Sequence, residues 1–184
     1  MNIKTEITPN PSSLKFLPGQ AVMEKGTADF RNMEEANRSP LALNLFKIDG
    51  VEGVFFGSDF ISITKSNNRE WQILKPSISE TIIEYFKSGT AVMLQGKEDK
   101  TGTSNTEDNE AVIKIKEIID TKVRPAVAKD GGDIIFQSFD KGIVYLHMQG
   151  SCSGCPSSTA TLKAGIENML KHYVPEVHEV RPVT

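Results

Sequence analysis

Two cysteines dominate the chemistry open to this chain of 184 residues. Cys152 and Cys155 stand in one short run, Gly150-Ser-Cys-Ser-Gly-Cys-Pro156. Thiols three positions apart on a glycine-containing turn can bind one metal ion together or close into a disulfide. The stretch before them, 142–148, reads as a strand. The stretch after them reads as a helix with Pro156 at its first position, a place where proline's missing N–H costs nothing. Cys155 is therefore expected at or beside a helix N-terminus, where free N–H groups and the helix dipole favour the thiolate, the form that ligates metal. A thioredoxin-type pair is expected early, after the first strand of a βαβ unit. This pair comes late and follows a hairpin, which favours metal binding and leaves thiol–disulfide exchange as the alternative.

Nothing else in the chain has the spacing of a catalytic group. His147 is a lone strand histidine, sharing a face with Ile143 and Tyr145 and opposite Val144, Leu146 and Met148. His172 and His178 lie beyond the far end of the helix that follows the cysteines. Gly131-Gly132 lacks the longer phosphate-loop pattern and reads as backbone geometry, with Asp130 and Asp133 as capping and turn residues. No Ser-His-Asp set or carboxylate pair can be built from spacing, so no catalytic residue is expected and the chain does not read as an enzyme.

Ligand counting sets the next expectation. Structural zinc and iron–sulfur clusters commonly take four protein ligands, with thiolates preferred. One chain offers two. Two chains meeting about a two-fold axis supply four, in a shared site expected near the surface and readily given up. A zinc-bridged structural dimer satisfies the same count.

The elements that must position these residues fall into two groups. In the first, 3–7 and 14–17 read as strands separated by Thr8-Pro-Asn-Pro-Ser-Ser13, and 29–38 is polar with at most a short helical turn. Ser39-Pro40 reads as an N-cap followed by a first-turn proline, opening a helix over 41–46. A hairpin is expected from 51–56 and 60–64, and Trp71 reads as a core residue. Lys75-Pro-Ser77 precedes a helix over 78–87 that Gly89 ends. In the second group, Val112, Ile115, Ile119 and Val123 recur at helical spacing, and Pro125 should perturb or restart the helix, which runs on to Lys129. The turn Asp130-Gly-Gly132 leads into a hairpin of 133–139 and 143–148. Leu162, Ile166 and Tyr173 line one face of the cysteine helix, and 177–183 is a last strand with Pro182 marking an edge or an end.

Between the groups, residues 95–109 contain no apolar side chain and can bury nothing. They are expected to form a flexible polar linker whose ends lie roughly 20 Å apart as a random coil. The expected fold class is thus α+β: a small domain over 1–94, the linker, and a second small domain over 110–184 that holds the cysteines. A content of 38% hydrophobic and 24% charged residues is that of an ordinary globular chain. A net charge of −3 gives no reason to expect nucleic acid. No apolar run approaches the ~20 residues needed to span a bilayer, so no membrane partner is expected. Two cysteines exclude a disulfide scaffold and make reduced thiols in a cytosol-like compartment the default.

With these residues in place, the chain resembles the Nfu-type iron–sulfur scaffold and carrier proteins over nearly its whole length. Thr8-Pro-Asn-Pro-Ser-Ser-Leu-Lys-Phe16, and Ser39-Pro-Leu41 through Val51-Glu-Gly-Val54, resemble the Nfu N-terminal domain. Arg124-Pro125, Asp130-Gly-Gly-Asp133 and the run Gly150–Pro156 resemble the NifU C-terminal domain. The resemblance implies a [4Fe–4S] cluster bridged between two subunits, ligated by Cys152 and Cys155, received from an upstream donor and delivered to apo-proteins by a cluster-dependent homodimer. Mitochondrial members carry a presequence. The N-terminal residues here lack both the apolar core of a signal peptide and the Arg-rich, acid-poor character of a transit peptide. The expectation is a bacterial cytoplasmic protein, or a mitochondrial matrix protein if the chain is a mature form.

Overall fold

The computed structural model describes residues 2–94, 110–153 and 156–183, with side chains in the last helix described from Ala160 onward. The chain divides into two compact units, Met1–Glu98 and Asp99–Thr184, each mixing helices with a sheet as the α+β reading requires. The expected linker, 95–109, lies outside the described residues. Among the described residues no helix is long and apolar enough to cross a membrane.

The first unit is built on a five-stranded antiparallel sheet in the order β1 (Lys4–Ile7), β2 (Ser13–Leu17), β5 (Ile61–Lys65), β4 (Val51–Phe56), β3 (Ala28–Phe30). Helices α1 (Pro40–Phe46) and α2 (Trp71–Ser88) bury Leu41, Leu45, Leu74, Ile78 and Ile82 against Phe16, Phe30, Phe56 and Ile63 of the sheet. The Ser39 cap is present: its Oγ accepts from the Ala42 N–H at 3.2 Å. The same hydroxyl donates to the Val92 carbonyl, tying the segment after α2 back onto the start of α1.

Two expectations for this unit are corrected. Residues 29–38 supply strand β3 before a 3₁₀ turn over Glu35–Arg38. Phe30 is fully buried and stacks edge-on against Phe56 at 5.2 Å, so tertiary packing outweighs the polar composition around it. Helix α2 starts at Trp71, seven residues before Ile78, with Pro76 inside it. Proline so near a helix start removes a single intrahelical bond. Leu74 is buried, Trp71 packs against Phe16 at 6.5 Å, and its Nε1–H donates to the Pro11 carbonyl at 3.2 Å. Those anchors hold the first turn in place against proline's cost.

The second unit opens with α3 (Glu110–Ile118), which continues through a π-helical turn, Ile119–Val123, into α4 (Arg124–Lys129). Pro125 perturbs the helix, as expected, rather than restarting it, and the helix runs on to Lys129. Its ring crowds the carbonyl four residues back and it has no N–H to offer. The chain responds by widening one turn, so that the Arg124 N–H bonds to the Ile119 carbonyl, five residues back. Ile115, Ile119, Val123 and Val127 still share one buried face.

Strands β6 (Gly132–Asp140) and β7 (Ile143–Gly150) form the expected hairpin. Its two-residue loop has both φ values positive, 50° at Lys141 and 80° at Gly142, as the twist of a type I′ hairpin demands. Helix α5 (Pro156–Tyr173) then crosses to β8 (Glu179–Val183), which pairs with β7 in parallel and sits at the edge of the three-stranded sheet, where Pro182 is tolerated. Because β7 and β8 are parallel, the cysteine run lies within a β–loop–α–β unit, late in the chain and after the β6–β7 hairpin as expected. It is the unit's position late in the chain that sets it apart from the thioredoxin arrangement.

Candidate metal centre

The site is assembled where the β6–β7 hairpin ends and the cysteine loop begins. Gly132 pairs with Gly150, and Asp133 with Gln149, in the last rungs of the ladder. Beyond them the loop folds back onto the turn before β6. The Ser151 N–H donates to the Gly131 carbonyl at 3.2 Å, and its Oγ donates to the Asp130 carbonyl. The Ser153 N–H closes a further turn onto the Gly150 carbonyl at 3.1 Å.

Cys152 is only 5% exposed and belongs to the apolar core that includes Met148, Ile134 and Ile166. Its sulfur lies directly over Gly132. A Cβ at Gly132 would come within 2.5 Å of the Cys152 Sγ, 2.9 Å of the Gln149 carbonyl oxygen and 3.0 Å of the Cys152 nitrogen. The second glycine of Asp130-Gly-Gly-Asp133 is thus needed for close approach. Since two of those three atoms are backbone, Gly132→Ala must displace the loop. The expected cost is about 1–3 kcal/mol of stability in the second unit, read as a lowered urea midpoint, together with an altered Cys152 environment.

Asp133 explains the rest of that motif. Its carboxylate is buried and takes a two-point pairing from Arg124, Nε to Oδ1 and Nη2 to Oδ2, both at 2.9 Å. Oδ1 also accepts from the Ile134 N–H at 2.8 Å. Arg124 reaches Asp120 as well, at 3.3 Å on its more exposed side. The hydrogen bond to Asp133 is the main influence pushing the guanidinium further above its ordinary range, against partial desolvation, so it is charged wherever the chain is folded. Asp133, expected as a capping or turn residue, instead lies in β6 with its side chain paired. Its pairing lies nine positions away, and the adjoining π-turn was not foreseeable from periodicity.

Helix α5, which begins one residue after Cys155, is fastened at its middle. Glu167 accepts from the Val180 N–H of β8 at 3.1 Å and from Lys171 at 2.7 Å. The Lys171 hydrogen bond and then the Val180 N–H hold its carboxyl below the usual range.

Of the two expected ligands, the structure places Cys152, and Cys155 lies outside the described residues. Cys152 is sheltered, where a shared, readily surrendered site was expected near the surface. The histidines stand apart from it. His147 is on the sheet face opposite Met148 and the core. His178 donates its N–H to the Gly142 carbonyl at the other end of the hairpin, and His172 sits in the last turn of α5. Among the described residues, no group of three or more His, Cys, Asp or Glu side chains converges to hold a metal ion. One polar group in the site gave no sign in the sequence: the Gln149 Oε1 is buried with no hydrogen-bond partner among the described residues.

This architecture, an α+β unit carrying a cysteine pair between a hairpin and a crossover helix, defines a class that comparison with known proteins resolves further. Residues 3–89 match the family model described as scaffold protein Nfu/NifU N terminal, and 115–181 match the NifU-like domain. The human protein named NFU1 iron-sulfur cluster scaffold homolog, mitochondrial, is 51% identical over 185 residues, covering 100% of this chain and 72% of its own. NifU-like protein 4, mitochondrial, of Arabidopsis thaliana is 53% identical over 184 residues, covering 98% and 65%. The Drosophila willistoni protein of the same name as the human one is 50% identical over 184 residues, covering 100% and 64%. The chain thus spans just under two thirds of the fly and plant relatives' length. The chain belongs to the Nfu/NifU family of scaffold proteins.

Proposed function

We propose that the chain is a non-enzymatic iron–sulfur cluster scaffold and carrier. Cys152 and Cys155 of two copies supply four thiolates to one [4Fe–4S] cluster, which the protein takes from an upstream donor and gives to apo-proteins. The observation that carries this reading is the match of 115–181 to a NifU-like domain with both cysteines of the chain inside it. The chain's own part is to present two thiols from one loop, to hold that loop through Ser151 and Gly132, and to keep other ligand types away. A site completed only by a second chain is one that an acceptor's thiolates can take apart. The relatives named as mitochondrial support the mitochondrial matrix as the place of action, and nothing found in the comparisons supports the bacterial cytoplasm.

Anaerobic purification with iron, sulfide and zinc analysis tests the cargo, and incubation of loaded protein with an apo four-iron acceptor tests delivery. Equal iron and sulfide with negligible zinc supports the reading, while zinc alone points to the structural dimer. The placement of the cysteine run in a β–loop–α–β unit favours one rival, thiol–disulfide exchange. That rival requires turnover of a disulfide substrate by metal-free protein, and the scaffold reading expects none.

The cluster-binding part should stand alone. The core of the second unit is drawn from Ala111 to Val180 and that of the first from Leu14 to Tyr85, with no residue in common. A fragment of residues 110–184 is expected to unfold cooperatively and to take up iron and sulfide as the full chain does. A fragment that is unfolded, or folded but unable to bind, would count against two independent domains.

A further inference from the structure

We propose that Arg124 is a positioning residue for Cys152. Acting through Asp133, it fixes the Asp130–Gly132 turn against the cysteine loop and keeps the Cys152 thiol sheltered until a cluster is taken up. The proposal rests on Cys152 being a cluster ligand, and it names the device that controls that ligand's exposure.

The chain of contacts is short and continuous. The π-turn ahead of Pro125 brings Arg124 to the start of β6, where it grips the buried Asp133 carboxylate at two points, each 2.9 Å. Asp133 also binds the Ile134 N–H, so its side chain and backbone are fixed together. The residue before it, Gly132, is the one whose Cα lies under the Cys152 sulfur. The two residues before that, Asp130 and Gly131, offer the carbonyls that receive the Ser151 hydroxyl and N–H. Residues 130–132 therefore meet the cysteine loop, and the next residue, Asp133, meets Arg124.

An ion pair kept only for stability has no need to sit beside the ligand. A buried carboxylate stripped of its partner must either reach water or take up a proton. For Asp133 the route to water leads through movement of the β6 start, which lifts Gly132 away from Cys152. Loss of Arg124 should thus open this loop locally, at a cost well below that of unfolding the unit.

The test uses reduced, metal-free, full-length protein treated with iodoacetamide under native conditions, with modification of Cys152 resolved from Cys155 by peptide mass spectrometry. Three variants are compared with the parent: Arg124→Gln, Arg124→Lys, and Leu170→Ala, a core truncation in the same unit remote from the loop. Urea midpoints are measured for each. Arg124→Gln is expected to speed Cys152 alkylation by about tenfold or more beyond what its change in global stability accounts for. Arg124→Lys, which keeps the charge but loses the two-point geometry, should fall between it and the parent. Leu170→Ala should speed alkylation only in proportion to its lost stability. If alkylation follows the urea midpoint on one line for all variants, Arg124 stabilises the unit without positioning Cys152, and the proposal is overturned. Should Arg124→Gln fail to fold, the same comparison of Arg124→Lys with Leu170→Ala decides it. The readout needs no cluster, so its failure is distinguishable from failure of the scaffold reading, which iron analysis of Cys152→Ser tests separately.

Discussion

Cys152→Ser, and separately Cys155→Ser, should reduce iron and sulfide in reconstituted protein to background while leaving the chain folded. In a two-fold symmetric site each substitution removes two of the four thiolates at once, and a hydroxyl is a poor ligand for the soft iron of a cluster. The fold should bear the change. Cys152 is packed in the core as a small apolar residue, and exchanging its sulfur for a smaller, polar oxygen is expected to cost on the order of 1 kcal/mol. For a domain of this size that corresponds to a melting point lower by about 4–8 °C. Wild-type iron and sulfide in either variant would remove that cysteine from the ligand set.

The second large effect is on assembly. When the ligands of one cluster come from two chains, the free energy of holding it becomes free energy of dimerisation, about 4 kcal/mol when cluster supply exceeds its dissociation constant a thousandfold. Metal-free protein should be mainly monomeric. Among the described residues of the second unit, the large apolar side chains left exposed are Ile113 and Tyr173, single residues and not a contiguous face. Loading with iron and sulfide should move the sedimentation coefficient from monomer to dimer, and a chelator should reverse it. Closing Cys152 and Cys155 into a disulfide should block the shift, since no thiolate remains to be shared. A metal-free protein that is already a stable dimer would show that the interface does not depend on the cargo.

The sheltering of Cys152 gives this second expectation a kinetic side. Cys152 is 5% exposed, so on the proposed reading loading is expected to require the loop over 151–153 to rearrange. That requirement was not readable from Gly150–Pro156. Glycine and serine around a cysteine pair announce a turn, but which face the first sulfur takes depends on Gly132, twenty residues earlier in the chain and next to it only once the hairpin closes. What could be read were the local signals: the Ser39 cap, the Lys141-Gly142 turn, the buried stripe through Ile115 and Ile119, and the cysteine run between a strand and a helix. What could not were features decided by tertiary contact. Trp71 and Leu74 carry α2 through Pro76. Phe30 draws a polar stretch into the sheet. Pro125 leaves its helix continuous because a π-turn absorbs it, and the buried Asp133 waits at that point for Arg124. The motif words Arg124-Pro125 and Asp130-Gly-Gly-Asp133 were visible as a family resemblance, but their physical connection appears only in the fold.

The central claim is that one cluster is held by four thiolates from two chains, and native mass spectrometry of anaerobically reconstituted full-length protein tests it most directly. The expected species is two chains plus one [4Fe–4S] cluster, with Cys152→Ser and Cys155→Ser appearing only as bare monomers. A single chain carrying a complete four-iron cluster would contradict the shared site and require further ligands from within one chain.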